Sequence, residues 1–252
     1  MRTKNKIYFV SDVHLGVDYK YTSEQRETLF INWLDEIRYD AQELNLVGDI
    51  FDFWFEFKHF VPKGFVRLFT KLKELNDNGI VINFFTGNHD MWTFGHISEI
   101  TGANVIHEHI IRKINDKTLF IAHGDALGPY DLKQKFLKKI FSSRFFQMLF
   151  KIVHPSISFR IAKKWSNSSR KKHNYPENIN CDTEWLVKFA RSVLKKENID
   201  FFVFGHRHLA FQTILNKDTV FTNLGDWISN FTYAVFDGEK MELLTYKDLD
   251  IF

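Results

Sequence analysis

Asp12-Val13-His14, Gly48-Asp49, Gly87-Asn88-His89-Asp90, His123-Gly124-Asp125 and Gly205-His206-Arg207-His208 distribute carboxylate, imidazole and amide donors over five short segments of a 252-residue chain. Asp12, His14, Asp49, Asn88, His123, His206 and His208 are the metal-ligand candidates. Donors of these types suit Mn2+, Fe2+ or Zn2+ better than Ca2+, and the lack of cysteine ligands argues against a structural zinc site. Two cations about 3.5–4 Å apart activate a water and neutralise phosphoryl oxygens. Such a pair needs several protein contacts, including a bridging carboxylate, and the seven candidates suffice if Asp49 bridges. A lone Asp-x-His is usually an accident of a loop, and a lone Gly-Asn-His-Asp reads as a turn. Five such segments in order point to two-metal phosphoester hydrolysis.

Each segment follows an apolar run that predicts a strand: Ile7 to Val10, Leu44 to Val47, Ile80 to Phe85, Lys117 to Ala122 and Phe201 to Phe204. Helices are predicted from Ser23, with Leu29, Phe30, Trp33, Leu34 and Ile37 at helical spacing, and around Phe65 to Leu75, with Asn78-Gly79 as the stop. A third runs from Thr183 to Lys196. Strand and helix alternate, which predicts an α/β chain with parallel strands and ligands gathered at their carboxyl ends. Gly48, Gly87, Gly124 and Gly205 sit beside candidate ligands and allow sharp turns and close backbone approach. Asp90 and Asp125 are expected to accept hydrogen bonds from ligand histidines. After His208, short strands over Phe211–Leu215, Thr219–Asn223, Thr232–Phe236 and Met241–Tyr246 follow, with Asp237-Gly238 as a hairpin turn.

Between the fourth and fifth segments the pattern changes. Leu132 to His173 carries 12 Lys and Arg and no Asp or Glu, leaving 22 basic against 31 acidic residues elsewhere. It reads as two or three amphipathic basic helices rich in Phe and Leu, set into an acidic body between core segments 1–131 and 174–252. An anion is the expected partner: phosphate, nucleic acid or a lipid surface. The stretch is heavily apolar and has no separate binding module, so nucleic acid is the weaker reading. No obligate protein partner is evident. Cys181, the single cysteine, excludes an intramolecular disulfide framework, and Ile7 to Val10 is too short for a signal-peptide core. A cytoplasmic protein is expected.

Together, Asp12-x-His14, Gly48-Asp49-x-x-Asp52, Gly87-Asn88-His89-Asp90, His123-Gly124-Asp125 and Gly205-His206-x-His208 resemble the calcineurin-like metallophosphoesterases. The resemblance implies a two-sheet β sandwich flanked by helices. It also implies one metal held by Asp12, His14, Asp49 and His208, and a second held by Asp49, Asn88, His123 and His206.

Gly48-Asp49-Ile50-Phe51-Asp52-Phe53-Trp54, the helical insertion and Leu224-Gly225-Asp226-Trp227 are most similar to the UDP-2,3-diacylglucosamine pyrophosphatase family. That resemblance implies Mn2+-dependent cleavage of a lipid-linked nucleotide to UMP and 2,3-diacylglucosamine 1-phosphate, in lipid A biosynthesis. It also implies a helical lid over the acyl chains and peripheral attachment to the inner face of the cytoplasmic membrane. Ser166, Asn167, Arg170 and Lys171 are the expected polar lid contacts. The chain departs from that family at His89, where an arginine is common. The histidine matches the wider superfamily, where it is a proposed general acid or transition-state stabiliser. The alternative is therefore a phosphodiesterase or phosphatase acting on another nucleotide or lipid-linked substrate. A non-catalytic scaffold is disfavoured because no candidate ligand is missing.

Overall fold

In the computed structural model, which describes residues 4–128, 132–154, 157, 160 and 183–247, two mixed sheets face one another. The elements run β1 (Lys6–Val10), α1 (Ser23–Ile37), β2 (Ala41–Val47), α2 (Val66–Asp77), β3 (Val81–Phe85), α3 (His96–Thr101), β4 (Asn104–Ile106), β5 (Ile110–Ile114) and β6 (Lys117–Ala122). They continue with α4 (Leu132–Phe141), α5 (Arg144–Ile152), α6 (Trp185–Val193), β7 (Phe201–Phe204), β8 (Ala210–Ile214), β9 (Val220–Leu224), β10 (Thr232–Phe236) and β11 (Met241–Thr245). One sheet has the order β11-β10-β1-β2-β3-β4 and the other β5-β6-β7-β9-β8. β1 to β4 are mutually parallel, as are β6, β7 and β9; antiparallel strands form the other edges, with β10 and β11 on one sheet and β5 and β8 on the other.

Strand alternation divides the apolar side chains among three layers. Ile7 and Phe9 of β1 face the space between the sheets, with Phe201 and Val203 of β7 and Phe236 of β10. Tyr8 and Val10 face outward to Trp33 and Leu34 of α1, while Phe202 and Phe204 meet Leu186, Val187 and Ala190 of α6. With both sheets covered on both faces, strands read as continuous apolar runs. Many of the chain's 28 Phe therefore have a place to go.

α1 begins where Ser23 was expected to start it, because Thr22 and Gln25 form a reciprocal capping box. Asn78 and Gly79, the latter at φ +82°, end α2. α3, β4 and β5 have no counterpart in the sequence-based prediction. They hold six, three and five residues, too few for a period to register, and β5 is no more than half-buried. α4 and α5 fall in the basic stretch, as expected.

Candidate metal centre

All seven candidate ligands lie just past the carboxyl ends of parallel strands: Asp12 and His14 after β1, Asp49 after β2, Asn88 after β3, His123 after β6, His206 and His208 after β7. Both sheets thus deliver donors to one edge of the sandwich. Three groups have ligand atoms within 4.8 Å of one another: Asp12 with His14 and His208, Asp49 with His123 and His206, and His14 with Asp49 and His89. Nε2 of His208 is 3.3 Å and Nε2 of His14 is 3.7 Å from Oδ1 of Asp12. Asp49 stands between the groups, its Oδ2 being 3.7 Å from His14 Nε2 and 3.3 Å from His123 Nε2. One carboxylate facing both sides is what a bridging ligand requires.

The other oxygen of each central carboxylate is tied to backbone. Oδ2 of Asp12 accepts from the His206 amide at 2.8 Å, and Oδ1 of Asp49 from the His89 amide at 2.8 Å. Each carboxylate is thereby aimed before any cation arrives. Asp12, His14, Asp49, His206 and His208 all adopt positive φ, between 46° and 66°. Such backbone costs about 1–3 kcal/mol per residue and persists only where surrounding bonds enforce it. Here the Asp12 and His14 amides donate to the carbonyls of Gly48 and Asp49 at 3.1 and 3.0 Å, and the Gly205 amide donates to His123.

A cation pair fits these donors. Oδ1 of Asp12, Nε2 of His14, Oδ1 of Asn88 and Nε2 of His123 are buried and make no hydrogen bond. Leaving a buried polar atom unsatisfied costs about 1–3 kcal/mol, and four orphans facing one edge are explained by metal coordination. The glycines make room. A Cβ on Gly205 would meet Ser11 Oγ at 2.5 Å and Asp12 Oδ2 at 2.6 Å.

Electrostatics show the same crowding in the metal-free protein. Burial pushes the Asp12 carboxyl up, but His208, His14 and His123 outweigh it and hold the pKa at about 2. Burial would lower His14 and His123, yet Asp12 and Asp52 around the first, and Asp49 and Asp12 around the second, raise both to about 10. His206, buried and next to charged His123, falls to about 3. Asp90, buried beside Asp49, rises to about 7. The linkage sign follows. Groups with raised folded-state values stabilise fully below their unfolded value and lose that contribution as pH climbs through the folded one. Metal-free protein is therefore expected to lose thermal stability steadily from pH 7 to pH 10, as His14 and His123 deprotonate. A flat or rising melting temperature across that window would refute this.

Several residues that hold the site were not singled out from sequence. Arg26 is fully buried and donates to the carbonyls of Val13, His14 and Val17, clamping the loop that carries Asp12 and His14. Its signal was an arginine on the apolar stripe of α1. Asp226 accepts from His208 Nδ1 at 3.3 Å and from the amides of Ile228, Ser229 and Asn230. Carboxylates in this role fix a ligand imidazole's orientation and tautomer. Asp226 follows β9 in a Gly-Asp pair, the same signature as Gly48-Asp49. Arg207, between two candidate ligands, forms a bidentate pair with Glu184 at 2.9 and 3.2 Å.

Asp90 and Asp125 do something other than accept from ligand histidines. Asp90 accepts the amides of Ile50 and Gly87, tying two ligand loops together. Asp125 pairs with Lys138 of α4 at 2.8 Å. The His123 ring donates instead through Nδ1 to the Val47 carbonyl at 2.9 Å. His89 belongs to the centre, its ring 4.7 Å from that of His14 and its Nδ1 2.7 Å from the Asp52 carbonyl. Ser166, Asn167, Arg170 and Lys171 lie outside the described residues.

A two-sheet α/β sandwich with carboxylate, imidazole and amide donors converging on one edge defines a metal-dependent phosphoester hydrolase. The chain belongs to the calcineurin-like phosphoesterase family, whose family model matches residues 5–210 and whose members depend on a dinuclear metal centre. Among curated relatives, UDP-2,3-diacylglucosamine hydrolase of Porphyromonas gingivalis is 34% identical over 265 aligned residues, covering 98% of this chain and 100% of that protein. The proteins of the same name from Haemophilus influenzae and Proteus mirabilis are 24% and 26% identical, over 96% and 94% of this chain and 98% of each relative.

Proposed function

We propose that this chain hydrolyses the pyrophosphate of UDP-2,3-diacylglucosamine, releasing UMP and 2,3-diacylglucosamine 1-phosphate, with a pair of Mn2+ ions as its metals. The observation that carries this reading is similarity to hydrolases of that name over nearly the whole chain, the basic insertion included. Residues 1–131 and 174–252 form the hydrolytic core in this reading, and 132–173 the lid.

Asp12, His14, Asp49 and His208 would hold one ion, and Asp49, Asn88, His123 and His206 the other. When bound, such a pair supplies an activated water and neutralises phosphoryl charge. The chain's own residues do the rest. Asp226 orients His208, and Val47 orients His123. His89 donates an Nδ1–H hydrogen bond to the Asp52 carbonyl, so Nε2 is the atom left to carry a proton to the leaving oxygen. Burial, aided by His14, lowers the His89 pKa against the opposing pull of Asp49 and Asp52. His89→Ala is expected to cut kcat by about 10²–10⁴-fold while metal content stays at the wild-type level. An unchanged kcat would remove His89 from the chemistry.

Among the described residues, no helix is long and apolar enough to cross a membrane. Leu132, Phe136, Phe145, Met148 and Ile152 are exposed on α4 and α5 beside exposed Lys135, Lys139, Arg144 and Lys151. Apolar and basic side chains on one surface suit peripheral contact with anionic lipid, on the cytoplasmic face in this reading.

The test is direct. Purified Mn2+-loaded protein is incubated with UDP-2,3-diacylglucosamine, and UMP release is expected. Cleavage of a simple aryl phosphodiester without any UMP would overturn the substrate while leaving the hydrolase. That outcome would favour the alternative, another nucleotide or lipid-linked ester, which His89 in place of an arginine also favours.

A further inference from the structure

Among the described residues, the insert helices meet the ligand loops through the Lys138–Asp125 pair, Phe150 on Phe55, Lys151 over Phe94 and, with most contacts, Trp92. The loops after β2 and β3 continue side by side past the metal edge. Trp54 donates its amide to the His89 carbonyl, Phe55 bridges Trp92, and Glu56 donates its amide to the Trp92 carbonyl, the two hydrogen bonds at 3.1 Å. This strip carries His89 at one end and Trp92 three residues on.

Trp92 is where the insert sits. Its indole Nε1 donates to the carbonyl of Phe141 at 2.9 Å, and Gln147 Nε2 donates to the same oxygen at 3.1 Å. Phe141 ends α4, so that carbonyl is one of those a helix leaves without an internal partner. The Trp92 ring also packs on Phe141 and on Phe150 of α5, with centroids 5.2 and 4.9 Å apart, and on Phe55 at 5.1 Å. α5 has no fully buried residue among those described; Phe150 also meets Phe55 at 5.0 Å, and Lys151 lies over the Phe94 ring. Trp92 itself is only 9% exposed.

The other end of the strip is held independently. His89 is fixed by Asp49 Oδ1 and the Asp52 carbonyl, and Asp90 ties Gly87 to Ile50. Loosening the Trp92 end therefore leaves the metal edge in place.

We propose that Trp92 is a specificity-determining positioning residue: it caps α4, receives Phe150 of α5, and so seats these two helices where an acylated substrate is distinguished from a simple phosphoester. The discrimination part rests on the substrate reading above; the seating part does not.

The test compares wild type, Trp92→Phe and Trp92→Ala as full-length Mn2+-loaded proteins. Each is assayed for UMP release from UDP-2,3-diacylglucosamine and for cleavage of bis(4-nitrophenyl) phosphate, and each is exposed to trypsin. Trp92→Ala removes ring and donor, and is expected to lower kcat/KM on the acylated substrate roughly 100-fold, chiefly through KM. Diester cleavage should stay within about threefold of wild type. Trp92→Phe keeps a six-membered ring but loses the indole N–H donor together with the pyrrole ring, and should fall roughly tenfold on the acylated substrate. Trypsin cleavage after Lys135, Lys139, Arg144 and Lys151, all exposed, should be faster in both variants than in wild type. Equal losses on both substrates, or wild-type kinetics and wild-type proteolysis in both variants, would overturn the proposal. Absence of UMP from the wild-type protein overturns the substrate reading, and the proteolysis rates then support or overturn the seat.

Discussion

Replacing Asp49 by Asn is expected to abolish hydrolysis, lowering kcat by at least about 10⁴-fold, because a residue serving two ions acts with all the others as a unit. The amide keeps the shape and the acceptor that faces the His89 amide. It removes the charge that lies between His14 and His123, where Oδ2 now stands 3.7 and 3.3 Å from their Nε2 atoms. Without that charge the proposed ion pair would lack its shared anionic ligand. Metal analysis of the purified variant should find less than half the wild-type content. Added Mn2+ should no longer raise its melting temperature, since stabilisation by a ligand requires binding to the folded state. A variant that retains the full metal complement and turns over within tenfold of wild type would show that Asp49 does not bridge.

Gly48→Ala should be nearly as damaging by a different route. Gly48 has φ +82°, and a Cβ there would lie 2.5 Å from His123 Nδ1, 2.7 Å from its Cγ and 2.9 Å from the Gly87 amide nitrogen. The ring cannot step aside freely, because Nδ1 is bonded to the Val47 carbonyl. The backbone penalty and the overlap together cost roughly 3–5 kcal/mol. That is a large part of the 5–15 kcal/mol typical of a folded domain, and corresponds to a melting temperature lower by about 10 °C. If His123 is a ligand as proposed, the variant should also lose activity at temperatures where it remains folded. Gly64→Ala is the control. Gly64 has φ +106°, but nothing lies within 4 Å of its Cβ position, so only the backbone penalty applies and activity should be unchanged. If both variants melted alike, crowding around His123 would not be the reason for the glycine.

Local sequence determined the strand ends and the chemistry placed on them. An apolar run followed by Asp, His or Gly-Asp is legible because both halves of the signal are contiguous, and the runs before Asp12, Asp49, Asn88, His123 and His206 all proved to be strands. α1 was legible for the same reason, its capping box and its apolar stripe lying within a single helix. Short elements were not: α3, β4 and β5 take their stability from neighbours, such as β3 beside β4, rather than from any period of their own.

Tertiary structure alone decided which donors share a group. Asp12 meets His208 and Asp49 meets His123 because β1 and β2 lie in one sheet and β7 and β6 in the other, and the carboxyl ends of both open on one edge. No spacing along the chain encodes that. The same holds for Arg26 reaching the carbonyls of the β1 loop, Asp226 orienting His208, and Trp92 capping α4 across 49 residues. Local preference in fact opposes the arrangement at five of the seven candidate ligands, whose backbones stand at positive φ. A chain acting locally would not choose that conformation; hydrogen bonds between loops from both sheets hold it there. Sequence by itself thus determined which atoms were available for the chemistry, and the packing of two sheets decided where each of them points.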